Sequence, residues 1–380
     1  MKKRTIIAIL SAIAIMFSLA GCDKPAESSD TITIGGLAPL TGNVAVYGIS
    51  VQNGALLALE EINENGGILG KTLAINFLDE KGDPVEAVNA YNKLISENVV
   101  AILGDVTSKP TAAVAELAAK EGIPMLSATA TAEAITTYGD NIFRTCFIDP
   151  VQGKTMAKFA ADSLGATTAA MLVNSSDEYS TGIAQAFKAA AADFGIEIVA
   201  EEAYGASDKD FKAQLNNINA KNPDVILVPD YYMVDTLIAT QAREIGYTNP
   251  ILGADGWDGV MEVTDESNYA ALNDVYFSNH YSVHDTDPKV ANFVNAFSEK
   301  YNDMPTSFAA LGYDSVYILV EAIEAAGTTD RASVVKALSE INYSGVAGDL
   351  HYEGSGDPVK TVTIVRVVDG EYTAYEKIEG

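Results

Sequence analysis

From Thr31 onward the chain alternates short apolar runs with longer alanine-rich segments of helical period, and no other feature of the sequence limits the fold as much. Strands between crossover helices are buried on both faces, so they read as continuous apolar runs instead of alternating ones. The predicted strands are Thr31–Leu37, Leu73–Leu78, Val99–Leu103, Thr168–Val173, Ile196–Ala200 and Val225–Val228. The segments Gln52–Asn65, Val85–Glu97, Thr111–Glu121, Thr181–Phe194, Phe211–Ala220 and Asp235–Ile245 have the length of crossover helices. Repeated βαβ units with parallel sheets follow, more than one sheet can hold. A chain of 380 residues has room for two substantial cores.

The pattern restarts after Asp149-Pro150, with a new helical segment from Val151. Two further stretches suit chain crossings: polar, irregular Asn279–Pro288 (NHYSVHDTDP) and glycine-rich, acidic Gly345–Pro358. The expected organisation is therefore an N-terminal lobe of residues 31–148 plus 279–345 and a C-terminal lobe of 149–278 plus 346–380.

Before Thr31 the sequence changes character. Lys2, Lys3 and Arg4 precede an uncharged apolar run, Ile6–Leu19, and then Leu19-Ala20-Gly21-Cys22. This is the order of a signal peptide, residues 1–21, and the apolar run is shorter than the roughly 20 residues a spanning helix needs. LAGC resembles the lipobox of bacterial lipoproteins, which implies cleavage before Cys22, lipidation of its thiol and anchoring to the outer face of the cell membrane. Stable anchoring takes more than one acyl chain. Residues 22–30 then form the lipidated cysteine and a polar tether.

Cys146 alone remains, so no internal disulfide can form, and a small buried core residue is the expected role. With 24 basic against 52 acidic residues, nucleic acid and anionic membrane surfaces are poor partners, because both require basic surface.

Two turns carry chemistry. In GDVTSKPTAAV, residues 104–114, an apolar run stops in hydroxyls and Pro110 falls near the first turn of a helix. A strand followed by such a turn presents unpaired backbone N–H groups to an anion; Thr107 or Ser108 is expected to cap the helix. SATAT, Ser127–Thr131, repeats the arrangement after apolar Ile123–Leu126. Ligands collect at the carboxyl ends of strands in doubly wound sheets, so the two turns converge, and a carboxylate suits both. Other motifs fail. NGGILGKT, residues 65–72, lacks the first glycine of a phosphate-binding loop and lies between a helix and a strand, so Gly66 and Gly67 read as a helix end. His280 and His284 have zinc-helix spacing without the glutamate or a helical pattern, and Gly354-Ser355-Gly356 lacks the spacing of a nucleophile elbow. The expectation is no enzyme, no metal and no cofactor.

The stretch LTGNVAVYGISVQNGALLALEEINENGGILGKTLAINFLDEKGDPVEAVNAYNKLI resembles the N-terminal lobe of leucine/isoleucine/valine-type periplasmic binding proteins, the extracytoplasmic receptors of ABC importers. The resemblance continues through AILGDVTSKPTAAVAELAAKEGIPMLSATAT, DEYSTGIAQAF, PDVILVPDYY, ILGADGWDG and AALGYDSVYILVEAI. It implies a type I periplasmic binding protein fold: two Rossmann-like lobes joined by three hinge crossings.

It also implies a site. Ser108 and Thr131 act through hydroxyls and Thr129 and Ala130 through backbone groups, at the positions where the family holds an amino acid's carboxylate and amine. A buried ammonium needs an acidic partner; Asp255 in GADGW, at a position often glutamate in the family, is favoured over Asp230 in PDYY. Tyr47, Tyr179 and either Tyr231 or Tyr232 match positions lining the pocket, and Trp257 is expected to close one side. Lys109 and Pro110 leave open whether the ligand is branched-chain or another neutral amino acid. The expected partners are a free amino acid and a membrane permease, the protein itself being a monomer. A sensor of amino acids or amides on the same fold is the alternative, and an anchored enzyme a further one.

Overall fold

The computed structural model describes residues 30–379; the leader, Cys22 and most of the tether lie outside them. Two sheets organise these residues. The first, in the order β2-β1-β3-β4-β5, contains β1 (Thr31–Ala38), β2 (Thr72–Asp79), β3 (Ile102–Leu103), β4 (Met125–Ser127) and β5 (Ile142–Arg144). Its pairs β1–β3, β3–β4 and β4–β5 are parallel. The second runs β15-β14-β10-β9-β8-β6-β7, with β6 (Thr168–Asn174), β7 (Glu197–Tyr204), β8 (Val225–Leu227), β9 (Ile251–Gly253) and β10 (Val275–Asn279) all parallel. β14 (Thr361–Val368) and β15 (Glu371–Glu379) close its edge antiparallel.

In both sheets the strand order reverses, between β1 and β3 in one and between β6 and β8 in the other. Such a reversal sends neighbouring connections to opposite faces and opens a crevice at the carboxyl ends of the strands. The turns after β3 and β8 flank these two crevices.

The crossover helices are α1 (Ala45–Glu64), α2 (Pro84–Ser96), α3 (Ser108–Glu121), α4 (Asp149–Asp162), α5 (Glu178–Ala191), α6 (Lys212–Asn219) and α7 (Tyr232–Glu244). Several start on side-chain caps: Asp83 accepts from Val85 and Glu86 N–H at 2.8 and 3.1 Å, with Pro84 already lacking a donor. α3 and α7 have no such cap. The short α8 (Val260–Val263) follows, then α9 (Pro288–Tyr301), α10 (Ser307–Ala326) and α11 (Arg331–Ser339). α10 packs on α1 through glycines: a Cβ on Gly54 would lie 1.9 Å from the Ala309 carbonyl oxygen, and one on Gly312 2.4 Å from that of Val51. Helices α9–α11 thus join the first sheet in what we call the first half; the second sheet and α4–α8 form the second.

Alternation located the strands and helices, but the helix starts differ from expectation. α1, α3, α5 and α7 begin at Ala45, Ser108, Glu178 and Tyr232, one to two turns before the predicted Gln52, Thr111, Thr181 and Asp235. In α3 and α5 the first turns carry Ser108 and Tyr179, which border the cleft and break the apolar period. Gly345–Pro358, expected as the third crossing, instead belongs to a three-stranded sheet of β11 (Asn342–Gly345), β12 (Gly348–Tyr352) and β13 (Pro358–Val359). The expected division at residue 345 falls inside the β11–β12 hairpin, and the chain enters the second sheet only at Thr361. The NGG segment ends α1 as expected, with Gly66 and Gly67 at φ +106° and +75°, left-handed values that favour glycine. His280 and His284 lie in the connection between β10 and α9, not on a helix.

Candidate functional site

The turn after β3 shows what GDVTS holds. Thr107 occupies the N-cap position of α3 but its side chain makes no cap bond, and the Ser108 hydroxyl accepts the Ala132 N–H of the second turn at 3.2 Å. Neither hydroxyl caps the helix, contrary to expectation, because the second turn engages Ser108. The N–H groups of Ser108 and Lys109 consequently have no partner among the described residues, and the positive end of the helix dipole remains directed at the cleft.

The second turn is laced to the first by its own hydroxyls. Ser127 Oγ donates to the Asp105 carbonyl at 2.7 Å and accepts the Ala130 N–H at 3.1 Å; Thr129 Oγ1 donates to the Val106 carbonyl at 2.7 Å. Fully buried Arg144 braces it from behind, donating to the Ala130 carbonyl at 3.0 Å and pairing with Asp357 at 2.8 Å. Both Ala130 backbone groups are thereby engaged inside the half, and Ala130 does not border the cavity, which corrects its expected role. Ser108, Thr129 and Thr131 do border it.

Opposite stand the ends of β6, β8 and β9. The Tyr179 hydroxyl, on the first turn of α5, donates to Asp255 Oδ1 at 2.8 Å and accepts the Gly256 N–H at 2.8 Å. Its ring stacks on that of Tyr231, with centroids 4.9 Å apart and planes 9° apart. Asp255 is held from two more sides, by Gln152 Nε2 at 3.0 Å on Oδ1 and by His280 Nε2 at 3.2 Å from Oδ2. Gln152 also takes the Asp255 N–H at 3.0 Å, so one side chain orients both backbone and carboxylate. Asp149, buried at the start of α4, has its carboxyl pushed well above the usual range, by burial first, with the Thr131 hydroxyl opposing and the Asp255 charge adding.

Asp230 stands apart. It accepts from the Tyr204 hydroxyl, from Asn174 Nδ2 at 3.1 Å and from the Tyr231 N–H at 2.8 Å, and burial pushes it up to about 6. It orients Tyr231 and does not border the cavity. Tyr231 lines the cavity and Tyr232 does not. Trp257 is fully buried, its indole N–H on the Val228 carbonyl at 2.7 Å, so it belongs to the core of the second half and not to the cleft. Cys146 is a core residue whose thiol burial pushes up.

The two halves meet around a narrow, nearly closed cavity of about 10 Å³, lined by Val106, Thr107, Ser108, Thr129, Thr131 and Phe308 on one side and Tyr179, Tyr231, Asp255 and Gly256 on the other. Tyr47 lies just behind, stacked on Phe308 at 4.2 Å. Lys109 is exposed and outside the lining, so it does not shape the cavity. One wall offers N–H and hydroxyl donors, the opposite wall a carboxylate, and Val106, Phe308 and two tyrosines fill the space between. Sequence reading missed Val106 and Phe308 as walls and Gln152, His280 and Arg144 as supports. An arginine inside the apolar run NIFRTCF was the one available signal, since buried arginines need dedicated partners.

Two doubly wound sheets that turn the carboxyl ends of their strands toward one small cavity define a cleft-type solute-binding protein. The chain belongs to the periplasmic binding protein family, whose model matches residues 31–371. That membership implies an extracytoplasmic location, and among the described residues no helix is long and apolar enough to cross a membrane. It is 31% identical over 355 residues to a leucine-, isoleucine-, valine-, threonine- and alanine-binding protein of Pseudomonas aeruginosa, covering 92% of each chain. It is 33% identical to the Leu/Ile/Val-binding protein BraC3 of Rhizobium johnstonii, over 92% of this chain and 95% of that one. Among solved structures, the branched-chain amino acid transporter substrate-binding protein LivJ of Streptococcus pneumoniae, in complex with isoleucine, superposes with a TM-score of 0.87 at 33% identity, over 92% of this chain and all of that one.

Proposed function

We propose that this protein captures a free neutral amino acid, branched-chain by preference, between its two halves and delivers it to the permease of an ABC importer. The observation that carries this reading is the opposition of two chemistries across one cavity: the free N–H groups of Ser108 and Lys109 and the hydroxyls of Ser108 and Thr131 on one side, the carboxylate of Asp255 on the other. A zwitterion is recognised by such a pair of ends. Ser108 and Thr131 take the carboxylate, Asp255 and the Thr129 carbonyl take the ammonium, and Val106, Phe308, Tyr179 and Tyr231 pack the side chain. The first half corresponds to one lobe and the second half to the other. The segments after β5, after β10 and before β14 act as the hinge, and the permease reads the closed form. A protein of this kind returns its ligand unchanged.

The test is a thermal-shift screen of the common amino acids on residues 23–380, followed by calorimetry. A ligand present at 100 times its Kd adds about 2.7 kcal/mol of apparent stability, a shift that is easily read. Leucine, isoleucine or valine should give the largest shift; no shift from any amino acid would overturn the reading. Anchoring through lipidated Cys22 is a separate proposal, resting on the LAGC sequence. Cys22→Ser should release the protein from the membrane fraction, and continued retention would refute the anchor.

A further inference from the structure

His280 is the first residue after β10, where the chain leaves the second sheet for the first half. Its side chain is buried, with Nε2 3.2 Å from Asp255 Oδ2. Asp255 Oδ1 already accepts from Tyr179 and Gln152, whereas Oδ2 has only His280 among the described residues. A carboxylate oxygen accepts about two hydrogen bonds, so Oδ2 retains the one position open to a ligand's ammonium. The other face of the imidazole is tied elsewhere: it stacks on Phe147, with centroids 3.8 Å and planes 21° apart. Phe147 lies between β5 and α4, on another segment joining the halves. We propose that His280 is a positioning residue that aims Asp255 at the ligand and connects it to two of the three segments joining the halves, making amino-acid capture compete with protonation of the imidazole.

This inference rests on the reading of Asp255 as the partner of an ammonium. To donate to Asp255, His280 must carry its proton on Nε2, which leaves Nδ1 as a bare acceptor, and Nδ1 is buried without a partner. Protonation would place a second N–H there with no acceptor. Burial therefore holds the His280 pKa below its ordinary value, and the bond to Asp255 opposes it. Lys360, buried just before β14 on the third joining segment, also acts against a charged imidazole, and Lys360 itself faces Asp314. The Asp255 charge in turn raises the carboxyls of Asp149 and Asp258 on other elements. An ammonium on Oδ2 satisfies the Asp255 charge and adds a cation nearby, so the imidazole is harder to protonate with ligand bound than without. Affinity must then fall as pH drops through the imidazole range of the free protein, and binding there must release protons.

The experiment is calorimetry with L-isoleucine on residues 23–380 as parent, His280→Gln and His280→Leu, between about pH 7.5 and about pH 4.5, a range that reaches below the ordinary imidazole pKa. Glutamine keeps a neutral donor but cannot titrate; leucine keeps bulk and loses the donor. The parent should weaken several-fold toward acid, and at the acid end its binding heats in buffers of different ionisation enthalpy should show proton release. His280→Gln should bind like the parent at the upper pH with a flatter profile, and His280→Leu should bind about tenfold more weakly throughout. Parent-like binding by His280→Leu, or a parent-like pH slope in His280→Gln, would overturn the proposal while leaving amino-acid binding intact. Should His280→Leu not fold, the His280→Gln slope and the parent's proton release decide. Failure of the parent to bind any amino acid would overturn the functional reading and this inference with it.

Discussion

The Tyr47 hydroxyl of the first half donates to the Gly256 carbonyl of the second and accepts the Tyr232 N–H at 3.0 Å. Tyr47 is thus a strut across the cleft as well as part of its aromatic surround. Tyr47→Phe keeps the ring on Phe308 and removes both bonds, leaving two buried backbone groups unpaired. At about 1.4 kcal/mol for the pair, ligand affinity should fall about tenfold, mostly through faster release. Stopped-flow dissociation reads this directly; an unchanged off-rate would show that the strut does not hold the halves together.

Ser108→Ala removes a hydroxyl that already accepts from Ala132 and whose proton is free to meet a carboxylate. Hydrogen bonds to charged groups contribute about 1.5–3 kcal/mol, so Ser108→Ala and Thr131→Val should each weaken binding by roughly tenfold to a hundredfold. Because the Ser108 and Lys109 N–H groups remain in the Ser108 variant, some grip on the anion persists. Calorimetry on both variants checks this, and parent-like affinity in both would remove the carboxylate from these turns.

The sequence carried the scaffold and the ligand-facing turns because both leave a local record. Buried strands appear as apolar runs, and strand-end turns appear as hydroxyls next to Pro110 or inside SATAT. What holds the turns in place left no such record. Gln152 and His280 reach Asp255 across 103 and 25 residues of sequence, and Arg144 reaches Asp357 from the small sheet that was expected to be a crossing. Two helix starts were misplaced for a related reason: in α3 and α5 the first turn serves the cleft through Ser108 and Tyr179, so its residues follow ligand chemistry and not helical period. Trp257 was misassigned because proximity in sequence to Asp255 says nothing about direction; a residue two positions on in a tight turn points into the core.

Asp255 and Asp230 give a discriminating pair. Asp255→Asn preserves shape and leaves a buried ammonium without a countercharge, a loss of about 3–5 kcal/mol, so isoleucine affinity should fall a hundredfold or more. Asp230→Asn alters a residue that serves Tyr204, Asn174 and Tyr231 inside the second half. Its affinity should stay within a few-fold while the melting temperature drops. The opposite pattern, with Asp230→Asn the weaker binder, would transfer the counter-ion role to Asp230.

Beneath the first gripping turn, Glu80 and Asp105 are both fully buried. Glu80 accepts the Gly82 N–H at 2.9 Å and Asp105 the Val106 N–H at 2.6 Å; the oxygens left over, Glu80 Oε1 and Asp105 Oδ2, have no other donor, and a proton held on Glu80 can be shared with Asp105. Burial raises both, Glu80 to about 9 with the Asp105 charge adding to it, and Asp105 to about 7 with the Val106 N–H opposing. The folded protein therefore binds more protons than the unfolded chain, whose carboxyls ionise near their ordinary values. The stability this pair contributes is complete below that ordinary range and is lost as pH rises through about 7 and on toward about 9. Glu80→Gln supplies a permanent N–H donor to Asp105 and removes the second charge, so its melting temperature should decline less steeply than the parent's over the same alkaline range. Since Asp105 leads directly into Val106 and Ser108, the parent's ligand affinity should weaken in parallel with its melting temperature. Melting curves of equal slope for parent and variant would show that the shared proton does not secure the turn.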